Sequence, residues 1–144
     1  MPKREAYCAV IERQDPNMAD RLWHPAEDGA RRGGRTTRLA ISICQRCPLR
    51  LPCLADALVG MWDDDSIYGG MLRRNRQRLA CMAEADGVKV RQRDYGDLAK
   101  RRRETLRWLR EHPAQVSQAG DSRSQWAEDW RRRKQRMADT EVAA

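Results

Sequence analysis

The segment Ile43–Cys53, ICQRCPLRLPC, places Cys44, Cys47 and Cys53 close together. Two residues separate Cys44 from Cys47, so both thiolates can face one centre from a single turn. Cys53 follows after five more residues, with Pro48 and Pro52 shaping the chain between. This C-x2-C-x5-C run supplies three sulfur ligands, whereas a tetrahedral zinc site or a cubane iron–sulfur cluster takes four. The candidates for the fourth are Cys8, Cys81, His24 and His112. Cys81 lies in RLACMAE beside Leu79 and Met82, where a cysteine reads as a small core residue. His24, between Trp23 and Pro25, reads as a packing or turn residue. Cys8, inside the apolar patch AYCAVI, is the favoured fourth ligand. Spacing does not choose between zinc and iron–sulfur, because both accept four thiolates.

The rest of the composition says why such a centre matters. The chain has 144 residues, 40% apolar but rich in alanine and without phenylalanine, and 35% charged. Such a chain buries little apolar surface per residue, so a small core gains from a metal or disulfide staple. The segment MPKREAYCAVIERQ holds no apolar run of signal-peptide length, and no stretch approaches the roughly 20 apolar residues of a membrane span. The chain therefore reads as cytoplasmic, with no membrane partner. Thiols there are kept reduced, which turns clustered cysteines toward metal or redox chemistry. The net charge of +8 suits either a solvated surface or a nucleic-acid-binding one.

The elements that must position these residues are helical. RRGGRTT, residues 31–37, reads as a basic linker, and Thr36 or Thr37 as the cap of a helix running into Cys44. Pro48 stops that helix, and Pro52 fits the first turn of the next. Leu54, Leu58, Met61 and Trp62 then fall on one helical face. DDDSIYGG, residues 63–70, is a turn, and its glycines supply backbone freedom. A helix from about Met71 to Asp86 buries Leu72, Leu79 and Met82 and carries Arg73, Arg74, Arg76 and Arg78 on its other face. Beyond Gly87 the composition shifts. YGDLAKRRRETLRWLREHP reads as a basic helix burying Leu98, Leu106 and Leu109, AQVSQAGDSRSQ as a linker, and WAEDWRRRKQRMA as a last basic helix with Trp126 and Trp130 packed on the domain. The fold class is all-α, with a small domain over residues 1–86 and a basic helical extension over 87–144.

Together, Cys8, CQRC, CP at Cys47–Pro48, CLADAL at Cys53–Leu58, LWHP at Leu22–Pro25 and IYGGMLRRNRQR at Ile67–Arg78 resemble the WhiB-like regulators of actinobacteria and their phages. The resemblance covers roughly residues 7–80. It implies a small helical domain organised around a 4Fe–4S cluster held by Cys8, Cys44, Cys47 and Cys53. It further implies a transcription factor responsive to oxygen, nitric oxide or redox state. Its partner would be the C-terminal region of the primary sigma factor, met through the turn Ile67, Tyr68, Gly69 and Gly70. DNA contacts would come from Arg73, Arg74, Arg76 and Arg78, and cysteines freed of the cluster could pair as disulfides. Ser66 and Tyr68 stand where the family's turn has glycine and tryptophan.

A cluster on four thiolates would tie the N-terminal segment to the two cysteine-bearing elements, so its loss would loosen the fold. Arg46 and Arg50 are expected to favour thiolate over thiol. For the arginines after the turn, phosphate contact competes with a solvated helix face. Two other functions are open: a zinc-stapled nucleic-acid-binding module, and a thiol–disulfide oxidoreductase using Cys44 and Cys47. No alternating strand and helix pattern surrounds that pair, as a thioredoxin-like fold requires. No Ser-His-Asp set or phosphate-binding glycine loop suggests other catalysis.

Overall fold

A computed structural model describes residues 4–24, 34–92 and 97–143, with the side chains of 122–129 set aside. Eight helices follow one another among these residues: α1 (Tyr7–Gln14), α2 (Pro16–Trp23), α3 (Arg35–Arg46), α4 (Arg50–Val59), α5 (Arg73–Ala85), α6 (Leu98–Glu111), α7 (Pro113–Ala119) and α8 (Ser122–Ala143). No strand occurs among them, so the fold is all-α. None of the helices is long and apolar enough to cross a membrane.

Local chemistry sets several of these boundaries. Asp15 caps α2 by accepting the Met18 N–H at 3.0 Å, with Pro16 at the first helical position. Asp97 caps α6 in the same way, accepting from Lys100 at 2.7 Å. α5 ends where Gly87 takes a left-handed φ of 91° and Val88 donates back to the Ala83 carbonyl at 3.1 Å. α3 starts at Arg35, capped by Gly34 and not by Thr36 or Thr37. Thr37 is buried instead. Part of the basic linker before it lies outside the described residues.

Two cores result. The smaller gathers Ala19, Leu22, Trp23, Ala40, Cys44 and Ile67 where α1, α2 and α3 meet. The larger joins Leu54 and Leu58 of α4, Met71, Leu79 and Ala83, and then Val90, Trp108, Leu109, Val116 and Ala119. Alanines at the contacts let these short helices approach closely.

Several expectations change here. The compositional break after residue 86 is not an edge of the core, because α6 packs along α4 and shares its apolar contacts. The break records the basic outer face of α6, while its inner face carries Trp108 and Leu109. Arg102 reinforces that contact with an ion pair to Asp56 at 2.5 Å, and Trp108 donates to Asp86 at 2.9 Å. The stretch read as a linker contains α7, whose Val116 and Ala119 are buried. Two apolar residues three apart are too weak a pattern to announce a helix. Leu98, at the start of α6, is 54% exposed. α4 stops at Val59, so Met61 and Trp62 do not continue its buried face. Met61 takes a φ of 53°, and Trp62 turns outward against Tyr68 with ring centroids 5.0 Å apart. Trp130 is 50% exposed, where burial on the domain was expected, and the Trp126 side chain lies outside the described set.

Candidate metal centre

Three elements deliver the clustered cysteines to one place. Cys8 stands in the first turn of α1. Cys44 closes α3, and Cys47 caps it in extended backbone ahead of Pro48, as a residue before proline prefers. Cys53 lies near the start of α4, its N–H donating to the Leu49 carbonyl at 2.9 Å. All four line a single cavity of about 180 Å³, together with Trp23, Ile67, Tyr68 and Gly69. The thiols are free, with no disulfide among them. One zinc ion would draw four sulfurs to within about 4 Å of each other, given the length of a Zn–S bond. Among the described residues no group of three or more His, Cys, Asp or Glu is gathered closely enough for one ion.

The other candidates for the fourth ligand stand differently. Cys81 is exposed on α5, neither at the cavity nor in the core where it was expected, and receives an Arg91 N–H at 3.4 Å. His112 stacks on Trp108 with centroids 4.6 Å apart, away from the cavity. His24 reaches the cavity wall, and its Nδ1 is 2.7 Å from the Ser66 hydroxyl.

The cavity is lined by donors that face sulfur. Trp23 donates its indole N–H to the sulfur of Cys44 at 3.2 Å. The backbone N–H groups of Gly69 and Gly70 are directed at Cys53 and Cys44. Burial nevertheless governs the metal-free thiols. It pushes Cys53 up to about 11 and raises Cys8 and Cys44, and neighbouring cysteines add to the shift. Arg50 favours thiolate at Cys44, as expected, but burial outweighs it. Arg46 is exposed. Arg50 serves the turn, donating from Nε to the Gly69 carbonyl at 3.2 Å.

That turn closes the cavity, and its geometry requires glycine. Gly69 and Gly70 both have left-handed φ angles, 56° and 74°. A Cβ on Gly69 would fall 2.4 Å from Cγ of Leu54, and one on Gly70 would fall 3.1 Å from Cβ of Cys44. Ile67 is buried and donates its N–H to the Trp23 carbonyl at 2.8 Å, which ties the turn to α2. Only Tyr68 of the four turn residues is half-exposed. Its hydroxyl donates to Asp64 at 2.9 Å, and Asp64 also accepts the Ser66 N–H at 2.9 Å, so this aspartate organises the bend.

The four arginines after the turn separate into two kinds. Arg73 and Arg74 are exposed, and Arg78 is half-buried with one N–H on the Gln118 carbonyl at 3.2 Å. Arg76 is only 3% exposed. Its guanidinium donates to the carbonyls of Trp62 at 3.1 Å, Asp64 at 2.9 Å, Ser66 at 2.8 Å and Met71 at 2.7 Å, and lies 4.9 Å from the centre of the Tyr68 ring. Its placement on a DNA-facing surface is corrected accordingly: Arg76 holds the turn from inside. The signal was present, since residues 76, 79, 80 and 83 share one helical stripe and the last three are apolar. The Trp23–Cys44 bond had no such local signal.

The family model described as "Transcription factor WhiB" matches residues 3–79, a span that holds all four cavity cysteines and the turn. The chain belongs to the WhiB family of transcription factors. Neither a curated protein nor a solved structure matches it.

Proposed function

We propose that this transcription factor carries a 4Fe–4S cluster on Cys8, Cys44, Cys47 and Cys53 and responds to oxidants or nitric oxide in the cytoplasm. The observation that carries the reading is four thiols from three helices around one apolar-walled cavity, two of them facing N–H donors. N–H groups aimed at sulfur are the usual means by which a protein orients and tunes such a centre. Four cysteine sulfurs around one cavity match the four thiolates that a cubane cluster takes. The cluster, when bound, supplies a centre that oxidants and nitric oxide attack, and it cross-links α1, α3 and α4. Without that link the helices around the cavity rest on packing and a few hydrogen bonds such as Trp23–Cys44, and the smaller core is slight.

The proposed partner surface for the C-terminal region of the primary sigma factor centres on Tyr68, with Trp62 beside it. Ile67, Gly69 and Gly70 act by shaping the turn beneath it. Arg73, Arg74 and Arg78 are the proposed phosphate contacts on DNA, which fix position more than sequence.

The test is purification without oxygen, followed by the visible spectrum and by iron, sulfide and zinc analysis. A brown protein with about four irons and four sulfides per chain is expected. Cys8→Ala should abolish the colour and Cys81→Ala should keep it. A colourless protein with one zinc would favour the zinc-stapled nucleic-acid binder and remove the redox response.

A further inference from the structure

α8 is the longest helix described, and it lies beyond the residues that match the family. It packs chiefly on the short α7. Every side chain from residue 130 to 143 is exposed. Its sequence favours helix through Arg, Lys, Gln, Met and Ala, and Gln135 donates to Asp139 one turn on at 3.0 Å. A helix that buries none of these side chains is held out for something else to meet.

The arrangement of charge says what that is. Arg131, Arg132, Arg133, Lys134 and Arg136 put five cations into six residues. Successive side chains leave a helix about 100° apart, so these cations point all round the axis. A helix lying on a membrane segregates an apolar face from its cations. Here Lys134 stands between Trp130 and Met137 on one line, with its ammonium 5.9 Å from the centre of the Trp130 ring. An acidic protein surface would meet one side and leave the other cations outside. The major groove of B-DNA differs from both. It is about 12 Å wide, admits one helix, and has phosphates on both walls. The major groove of duplex RNA is too narrow and deep for that. In sequence, Glu128 and Asp129 precede this basic run and Asp139 and Glu141 follow it, which confines the contact to the middle of the helix.

We propose that α8, through Arg131–Arg136, is a second duplex-DNA contact that enters the major groove and acts separately from Arg73, Arg74 and Arg78. It needs neither the cluster nor the sigma factor.

The experiment titrates the full chain into a fluorescent mixed-sequence DNA duplex, read by anisotropy over a series of potassium chloride concentrations. Three variants are compared with the parent: Arg131→Gln with Arg132→Gln and Arg133→Gln, the same positions changed to lysine, and Arg73→Gln with Arg74→Gln and Arg78→Gln. The first should weaken binding at least roughly tenfold at low salt and flatten the log–log salt slope by about 3, since each arginine removed leaves one phosphate with its counterions. The lysine variant should keep the slope. The helix positions are exposed, so circular dichroism should stay unchanged. A glutamine variant of α8 with the parent's affinity and slope would overturn the proposal, whatever the third variant does. Weaker binding in the third variant alone would leave only the DNA surface after the turn. Duplex RNA binding as tightly as DNA would overturn the groove assignment.

Discussion

Gly69 and Arg76 are the residues on which the turn depends, and for opposite reasons. Gly69 is needed for what it lacks. Gly69→Ala forces a Cβ against Leu54 at a left-handed φ, and a loss of about 2–3 kcal/mol is expected, read as a lower midpoint in urea. Arg76 is needed for the reach of its planar fork over four carbonyls. Arg76→Lys should cost about 2–3 kcal/mol, because one ammonium cannot serve them all and burial penalises what is left unpaired. An exposed arginine such as Arg73, changed the same way, should shift stability by less than about 0.5 kcal/mol. If Arg76→Lys unfolds at the parent's urea midpoint, the internal role of Arg76 is wrong.

At the scale of elements, the packing of α4 against α6 decides how much chain is needed to fold. Leu109→Ala removes a fully buried side chain from the larger core and should cost about 3 kcal/mol. A chain ended after residue 86 would lack Val90, Trp108, Leu109 and Val116 and so expose Leu54, Leu58 and Leu79 to water. It should show no cooperative thermal unfolding, although it contains the whole family match. The segment after α5 is tied back by Arg91, whose guanidinium pairs with Glu84. That pairing lowers the Glu84 carboxyl below its ordinary value of 4.5. A lowered carboxylate pKa means the unfolded chain binds the proton more readily. The stabilisation is therefore present above pH 4.5 and declines as pH falls below it. Glu84→Gln should remove that part of the acid dependence, which urea midpoints measured from neutral to acid pH would reveal. Midpoints that fall equally in parent and variant would show that the pair contributes nothing.

Over the whole molecule, stability is unevenly distributed. The larger core joins α4 to α7, while the smaller one beside the cavity is slight and includes Cys44 itself. With the proposed cluster bound, its removal by a chelator should therefore raise amide exchange in α1, α2 and α3 far more than in α4 to α6, and hydrogen-exchange mass spectrometry would show it. Uniform loosening would mean that the two cores unfold together. Much of this organisation was legible in the sequence. The cysteine spacing, the proline stops and the Gly-Gly turn depend on ligand type and backbone freedom, which are properties of single residues and their neighbours. So does the all-α class, through apolar periodicity. Other features exist only where helix faces meet. Cys8, and not Cys81, lines the cavity because α1 packs on α2 and α3 while Cys81 faces outward from α5. The chain from Val90 to Ala119 belongs to the core because of one apolar face on an otherwise basic α6. The indole of Trp23 finds the sulfur of Cys44 across 21 residues of sequence, a pairing between two helices that local pattern does not encode.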